Sequence, residues 1–109
     1  MSELRSPSAV RIAVAVAGCP AVARLHGGAH GEVATYLPGT RVTGVRAMDH
    51  EIAVHVVGVW PATLAEIAGQ VRTAAGPFTA AIPVSVTVED LELPDDDETP
   101  AANPERETS

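Results

Sequence analysis

Four histidines and a single cysteine are the side chains in this 109-residue chain with most chemistry to offer. His26 and His30 lie four apart around Gly27, Gly28 and Ala29, with Cys19 before them and Glu32 after. Imidazole, thiolate and carboxylate all ligate zinc, but a zinc site needs three or four such groups on a rigid frame. Two loop imidazoles beside one carboxylate fall short, so no metal ligand is assigned and both histidines are expected to be polar loop residues. Gly28-Ala29-His30-Gly31 has the GxxG spacing with which one class of RNA-binding module clamps a nucleic-acid backbone. Its flanks have the pattern of strands and its close basic residue is Arg24, so both the helix N-terminus and the charge for that task are lacking. The missing helix also counts against a phosphate-binding glycine loop. A glycine-rich turn or bulge is expected instead.

The remaining candidates point away from catalysis as well. His55 falls in the middle of an alternating segment, opposite in phase to Ile52, Val54 and Val56, where a solvated or hydrogen-bonded strand histidine is expected. There is no Ser/His/Asp nucleophile pattern, and most carboxylates lie toward the C-terminal end, where a flexible segment could not hold two of them at catalytic separation. Cys19 is expected to be a buried, inert thiol; with no second cysteine an internal disulfide is impossible. Trp60 is expected to plug the core. No catalytic residue, no cofactor-binding residue and no metal ligand is therefore assigned, and no cofactor is expected.

The segments that carry these residues alternate between clear and ambiguous signals. Ser8 to Gly18 can be taken two ways: Val10, Ile12, Val14 and Val16 alternate like a strand, whereas Ser6-Pro7 and Gly18-Cys19-Pro20 suit the ends of a helix. Val22 to His26 and Val33 to Leu37 are short β segments flanking the glycine-rich stretch, and Pro38-Gly39 is a turn. Arg41 to Met48 and Glu51 to Trp60 form a hairpin through Asp49-His50, with Ile52, Val54, Val56 and Trp60 on one face. Pro61 opens a helix with Thr63 and Glu66 at capping-box spacing and an apolar stripe of Leu64, Ile67, Ala68, Val71 and Ala75, stopped by Gly76-Pro77. A last strand follows, in which Ile82, Val84, Val86 and Val88 alternate with Pro83, Ser85, Thr87 and Glu89; Pro83 suits a strand start or an edge.

Composition limits the core and divides the chain. Hydrophobic residues make up 46 %, yet only Tyr36, Trp60 and Phe78 are aromatic, so Val, Ala, Leu and Ile must build a thin core. The formal charge of −7 is uneven: the chain from Glu89 onward carries −8 and the remainder +1. Neither part has the arginine stripe that nucleic acid or an anionic membrane would call for. From Pro94, Asp95-Asp96-Asp97-Glu98 and two further prolines leave no apolar face to pack. The expected division is a flexible N-terminus over 1–8, one domain over 9–93 and a disordered acidic tail over 94–109. The apolar run Val10 to Val16 is far shorter than the ~20 residues that span a bilayer. With no secretory signal visible, the chain is expected to be cytoplasmic.

Several stretches together resemble the short actinobacterial members of the alkaline-shock, or general-stress, protein family. They are Pro20-Ala21-Val22-Ala23-Arg24-Leu25-His26-Gly27-Gly28, Gly31-Glu32-Val33-Ala34-Thr35-Tyr36-Leu37-Pro38-Gly39, Val42-Thr43-Gly44-Val45-Arg46 and the closing Val84-Ser85-Val86-Thr87-Val88-Glu89-Asp90. The likeness spans about Ala9 to Leu93 and rests on structural positions; Ala21 and His50 depart from the glycines expected in two turns. It implies that the first segment is a helix, giving an α+β fold: a small mixed or antiparallel sheet with two helices packed on one face, in α-β-β-α-β order with extra short strands. It further implies a non-enzymatic envelope-stress scaffold. Such a protein acts through protein–protein contacts at the cytoplasmic face of the membrane, with a membrane-spanning anchor protein or another copy as partner. From the residues themselves, the sheet face around His55, Val57 and Val59 is a candidate docking surface, because Val57 and Val59, expected to be exposed beside each other on one strand face, could form an apolar patch. No nucleic acid and no direct membrane insertion are expected. The alternative is a small ligand- or metal-sensing regulatory α+β domain that uses the His26 to Gly31 loop.

Overall fold

A computed structural model describes residues 6–94. The tail from Asp95 and most of the N-terminal segment expected to be flexible lie outside the described residues. The ambiguous first segment is a helix, α1 (Ala9–Ala17), begun by Ser8, whose hydroxyl accepts from the Arg11 N–H at 3.2 Å. Its buried residues Ala9, Ile12 and Val16 follow helical spacing, while Val10 and Val14 turn outward, so the alternation of valines marks no single face.

Four short strands come next: β1 (Val22–Leu25), β2 (Ala34–Leu37), β3 (Thr40–Thr43) and β4 (Val45–Ala47). The segment from Arg41 to Met48, expected as one strand, is two. Gly44 separates them at φ +88°, a conformation that a residue with a Cβ adopts only under strain. Before this break β3 pairs with β2 through the Pro38-Gly39 turn; after it β4 pairs with β5 (Ile52–Val59). The Asp49-His50 turn is closed by the Met48 N–H donating to the Glu51 carbonyl at 2.9 Å.

Helix α2 (Leu64–Ala75) starts three residues later than expected, because Thr63 is its cap and Pro61 lies ahead of it. The capping box is complete: the Glu66 N–H donates to the Thr63 hydroxyl at 3.1 Å and the Thr63 N–H to the Glu66 carboxylate at 2.8 Å. Ile67, Val71 and Ala75 are buried, whereas Leu64 is not. After the Gly76–Phe78 turn, β6 (Val84–Glu92) returns parallel to β5.

β5 is the centre of the sheet. β6 pairs along its whole length, Ile52↔Val84 to Val59↔Glu92, which occupies one edge. The other edge is shared: β4 takes Ile52 to Val54 and β1 takes Val56 to Gly58, both antiparallel. The result is the α+β fold expected, with a mixed four-stranded sheet beside the two-stranded β2–β3 ribbon. Both helices cover one face, where Ile12, Val16, Ile67 and Val71 form a single cluster with Val45, Ile52, Val54 and Val56. Trp60 does not plug this core. The space beyond Val56 on that face is filled by Ile67 and Leu91 closing against Gly58, which leaves Trp60 55 % exposed past the end of the strand.

Candidate functional site

The histidine loop is held together by its own groups. His26 turns Nδ1 onto the Gly28 N–H at 2.9 Å, and the Glu32 carboxylate accepts the His30 N–H at 2.9 Å. Gly28, at φ +84°, leaves room for that carboxylate, which would lie 2.8 Å from a Cβ there. Bonds from its own N–H and from that of His30, then the nearby His30 and His55, hold the Glu32 carboxyl below its ordinary range. His26 thus spends one ring nitrogen inside the loop, and His30 points outward to solvent. Cys19 is elsewhere, at the end of α1, where its thiol meets the carbonyls of Ala15 and Gln70 at 3.7 and 3.5 Å. Burial pushes that thiol up, which suits an unreactive group. Among the described residues no three His, Cys, Asp or Glu side chains converge to hold a metal ion.

The helix-free face of the sheet has a different character from the one expected. His55 is hydrogen-bonded there, with Nδ1 2.7 Å from the Glu89 carboxylate. Val57, expected to be exposed, is fully buried. Arg24 on β1 pairs with Glu92 on β6, and because these strands flank β5 on opposite edges, the pair must cross β5 at the level of Val57 and Val59. With His55 and Glu89 on its other side, Val57 lies beneath charged groups. This face is a polar lattice over a covered valine, and the docking surface of exposed Val57 and Val59 is not there.

Exposed apolar surface lies on the helices instead. Val14 is 70 % exposed and Val10 46 %, on the side of α1 opposite Ile12 and Val16. Between α1 and α2 a groove of about 710 Å³ runs past Val14, Gly18 and Pro20 on one wall and Ala65, Gly69 and Thr73 on the other. Gln70 fixes its floor: its side-chain oxygen accepts the Ala21 N–H at 2.9 Å, tying the end of α1 to α2. The spacing of Val10 and Val14, four apart and out of phase with Ile12 and Val16, was the signal in the sequence. It stayed hidden while the segment could equally be a strand.

No family model, curated protein or solved structure matches the chain. Among the described residues no helix is long and apolar enough to cross a membrane.

Proposed function

We propose that this chain is a non-enzymatic scaffold of the envelope-stress type, acting at the cytoplasmic face of the membrane by docking a protein partner anchored there. The observation that carries this reading is the apolar groove between the helices. Its small residues, Gly18, Ala65 and Gly69, let another backbone approach closely, while Val14 stands proud of its rim. That shape suits the apolar face of a partner helix laid along it. The likeness of the strand and turn segments to the alkaline-shock family supplies the cellular setting. The histidine loop gives the ligand- or metal-sensing alternative little support, since His26 Nδ1 and the Glu32 carboxylate are engaged within the loop and, among the described residues, no third ligand joins the two histidines.

A pull-down of the tagged full chain from native membranes tests the reading. The expected result is retention of a membrane-spanning protein, lost in Val14→Asp while the circular dichroism spectrum is unchanged. Retention indifferent to Val14→Asp removes the groove as the docking site, and a melting temperature raised by metals or nucleotides favours the sensing domain.

A further inference from the structure

The β5–β6 ladder ends at Val59↔Glu92, and one residue further on the Trp60 N–H donates to the Glu92 carbonyl at 2.7 Å. Trp60 and Leu93 are thereby brought next to one another where the two strands leave the sheet. Both stay open to solvent, at 55 % and 76 %. Beside them is a cleft of about 500 Å³ lined by Ala23, Val59, Glu92, Leu93 and Pro94. Its charged member, Glu92, is held by Arg24, so the rest of the lining is apolar. The surrounding charge has one sign. Asp90 lies level with Val57 two residues before Glu92, and Asp95-Asp96-Asp97-Glu98 follow Pro94 directly in the chain. Those four lie outside the described residues, but the chain itself limits their reach. At about 3.6 Å per residue, Glu98 can be no farther than about 14 Å from Pro94.

We propose that this cleft docks a protein segment in which an apolar side chain is flanked by Lys or Arg. The apolar side chain enters the cleft against Leu93 and Val59 beside Trp60, and the flanking cations meet the acidic run after Pro94. Charge complementarity selects this occupant. A run of four carboxylates within roughly a Debye length of the cleft attracts cations and repels anions. A second copy would bring the same acids against acids, and nucleic acid or an anionic leaflet would be repelled in the same way. The chain's own continuation cannot fill the cleft either, because Asp95 to Ser109 contains no Val, Ile, Leu, Met or aromatic residue. Exposed tryptophan beside leucine is the kind of anchor on which protein interfaces concentrate their binding energy. The site is separate from the groove between the helices and stands whatever docks there.

Trp60 is the only tryptophan of the chain, so its fluorescence reports on this end of the molecule. The full chain is titrated with the synthetic peptide Arg-Arg-Leu-Ser-Leu-Arg-Arg from micromolar to millimolar concentration. A saturable shift of Trp60 emission to shorter wavelength is expected, weakening as salt is raised. Replacing both leucines of the peptide by Ser, or its four arginines by Glu, is expected to weaken binding by at least about tenfold. In the protein, Leu93→Ser weakens it by at least about fivefold with an unchanged circular dichroism spectrum. Asp95→Asn, Asp96→Asn, Asp97→Asn and Glu98→Gln in one full-length chain do the same and remove most of the salt dependence. No shift up to millimolar peptide overturns the proposal. Equal affinity for the Ser peptide shows charge acting without the cleft, and equal affinity for the Glu peptide shows the cleft acting without charge; either result overturns it. So does binding indifferent to both protein variants, and a Trp60 shift on concentrating the chain alone overturns the choice of occupant in favour of a second copy.

Discussion

At the scale of single residues, one position decides local geometry that no other residue type would allow. Gly44 combines φ +88° with a site where a Cβ would lie 2.6 Å from the Leu25 Cβ and 3.2 Å from the His26 nitrogen. Neither neighbour is the free end of a side chain, so neither can step aside. Gly44→Ala is expected to destabilise the domain by about 2 kcal/mol or more through backbone strain plus the clash, measured by urea unfolding. Glu32 makes a prediction of a different kind. Its carboxyl is lowered in the folded chain, so its contribution is complete above the ordinary glutamate value of about 4.3 and is lost as pH falls through the depressed folded value. Glu32→Gln should therefore lower the melting temperature near neutral pH, and the gap to the wild type should close as pH falls below the ordinary glutamate value and through the depressed folded one. A gap that stayed constant would mean that the ionised carboxylate adds nothing.

At the scale of elements, burial separates residues that share one apolar stripe. Ile67 is completely buried under Gly58, whereas Leu64, one turn earlier, is 62 % exposed. Ile67→Ala is expected to cost about 2–5 kcal/mol and Leu64→Ala no more than about 0.5 kcal/mol, as read from denaturant midpoints. Thr63→Ala should cost about 1 kcal/mol by removing one half of the capping box. This helix was legible in the sequence because cap, stripe and stop signal agree. The hairpin around Asp49-His50 and the start of the last strand at Pro83 were legible for the same reason. The first helix was not legible from its residues alone: a short run of Ala and Val satisfies both periods, and only tertiary burial of Ile12 and Val16 decides between them. The break at Gly44 was also hidden, since a glycine between β-branched residues fits a continuous strand until another chain segment approaches it. The expected docking face failed for a longer-range reason. Alternation correctly set Val57 opposite Val56, but its burial depends on Arg24 and Glu92 meeting across β5 from 68 residues apart in sequence. The groove is equally non-local, formed where α1 meets α2.

At the scale of the whole molecule, charge and span length govern any encounter with a membrane. Of the basic residues described, Arg24 is tied to Glu92, Arg72 to a β6 carbonyl, and Arg41 lies over the Tyr36 ring and reaches the Gly31 carbonyl. That leaves Arg11 on α1 and Arg46 on β4, which belong to different elements and face different ways: Arg11 is exposed on a helix, and Arg46 lies opposite Ala53 on the helix-free face of the sheet. A juxtamembrane basic cluster attracts an anionic leaflet by about 1 kcal/mol per residue near the surface, and two scattered arginines cannot act as one. The chain as a whole carries −7, most of it from Glu89 onward, so the long-range term is repulsive. Direct adsorption would then rest on apolar contact alone, through exposed Val10 on α1 and Val14 at the groove rim. The purified chain is accordingly expected not to co-sediment with vesicles of anionic lipid at low salt, where electrostatic attraction is least screened. Membranes that contain the proposed docking partner should retain it, and raising the salt should leave that retention largely intact because the proposed contact at the groove is apolar. Binding to bare vesicles that Val10→Asp and Val14→Asp abolish would reassign the helix face from a protein partner to lipid.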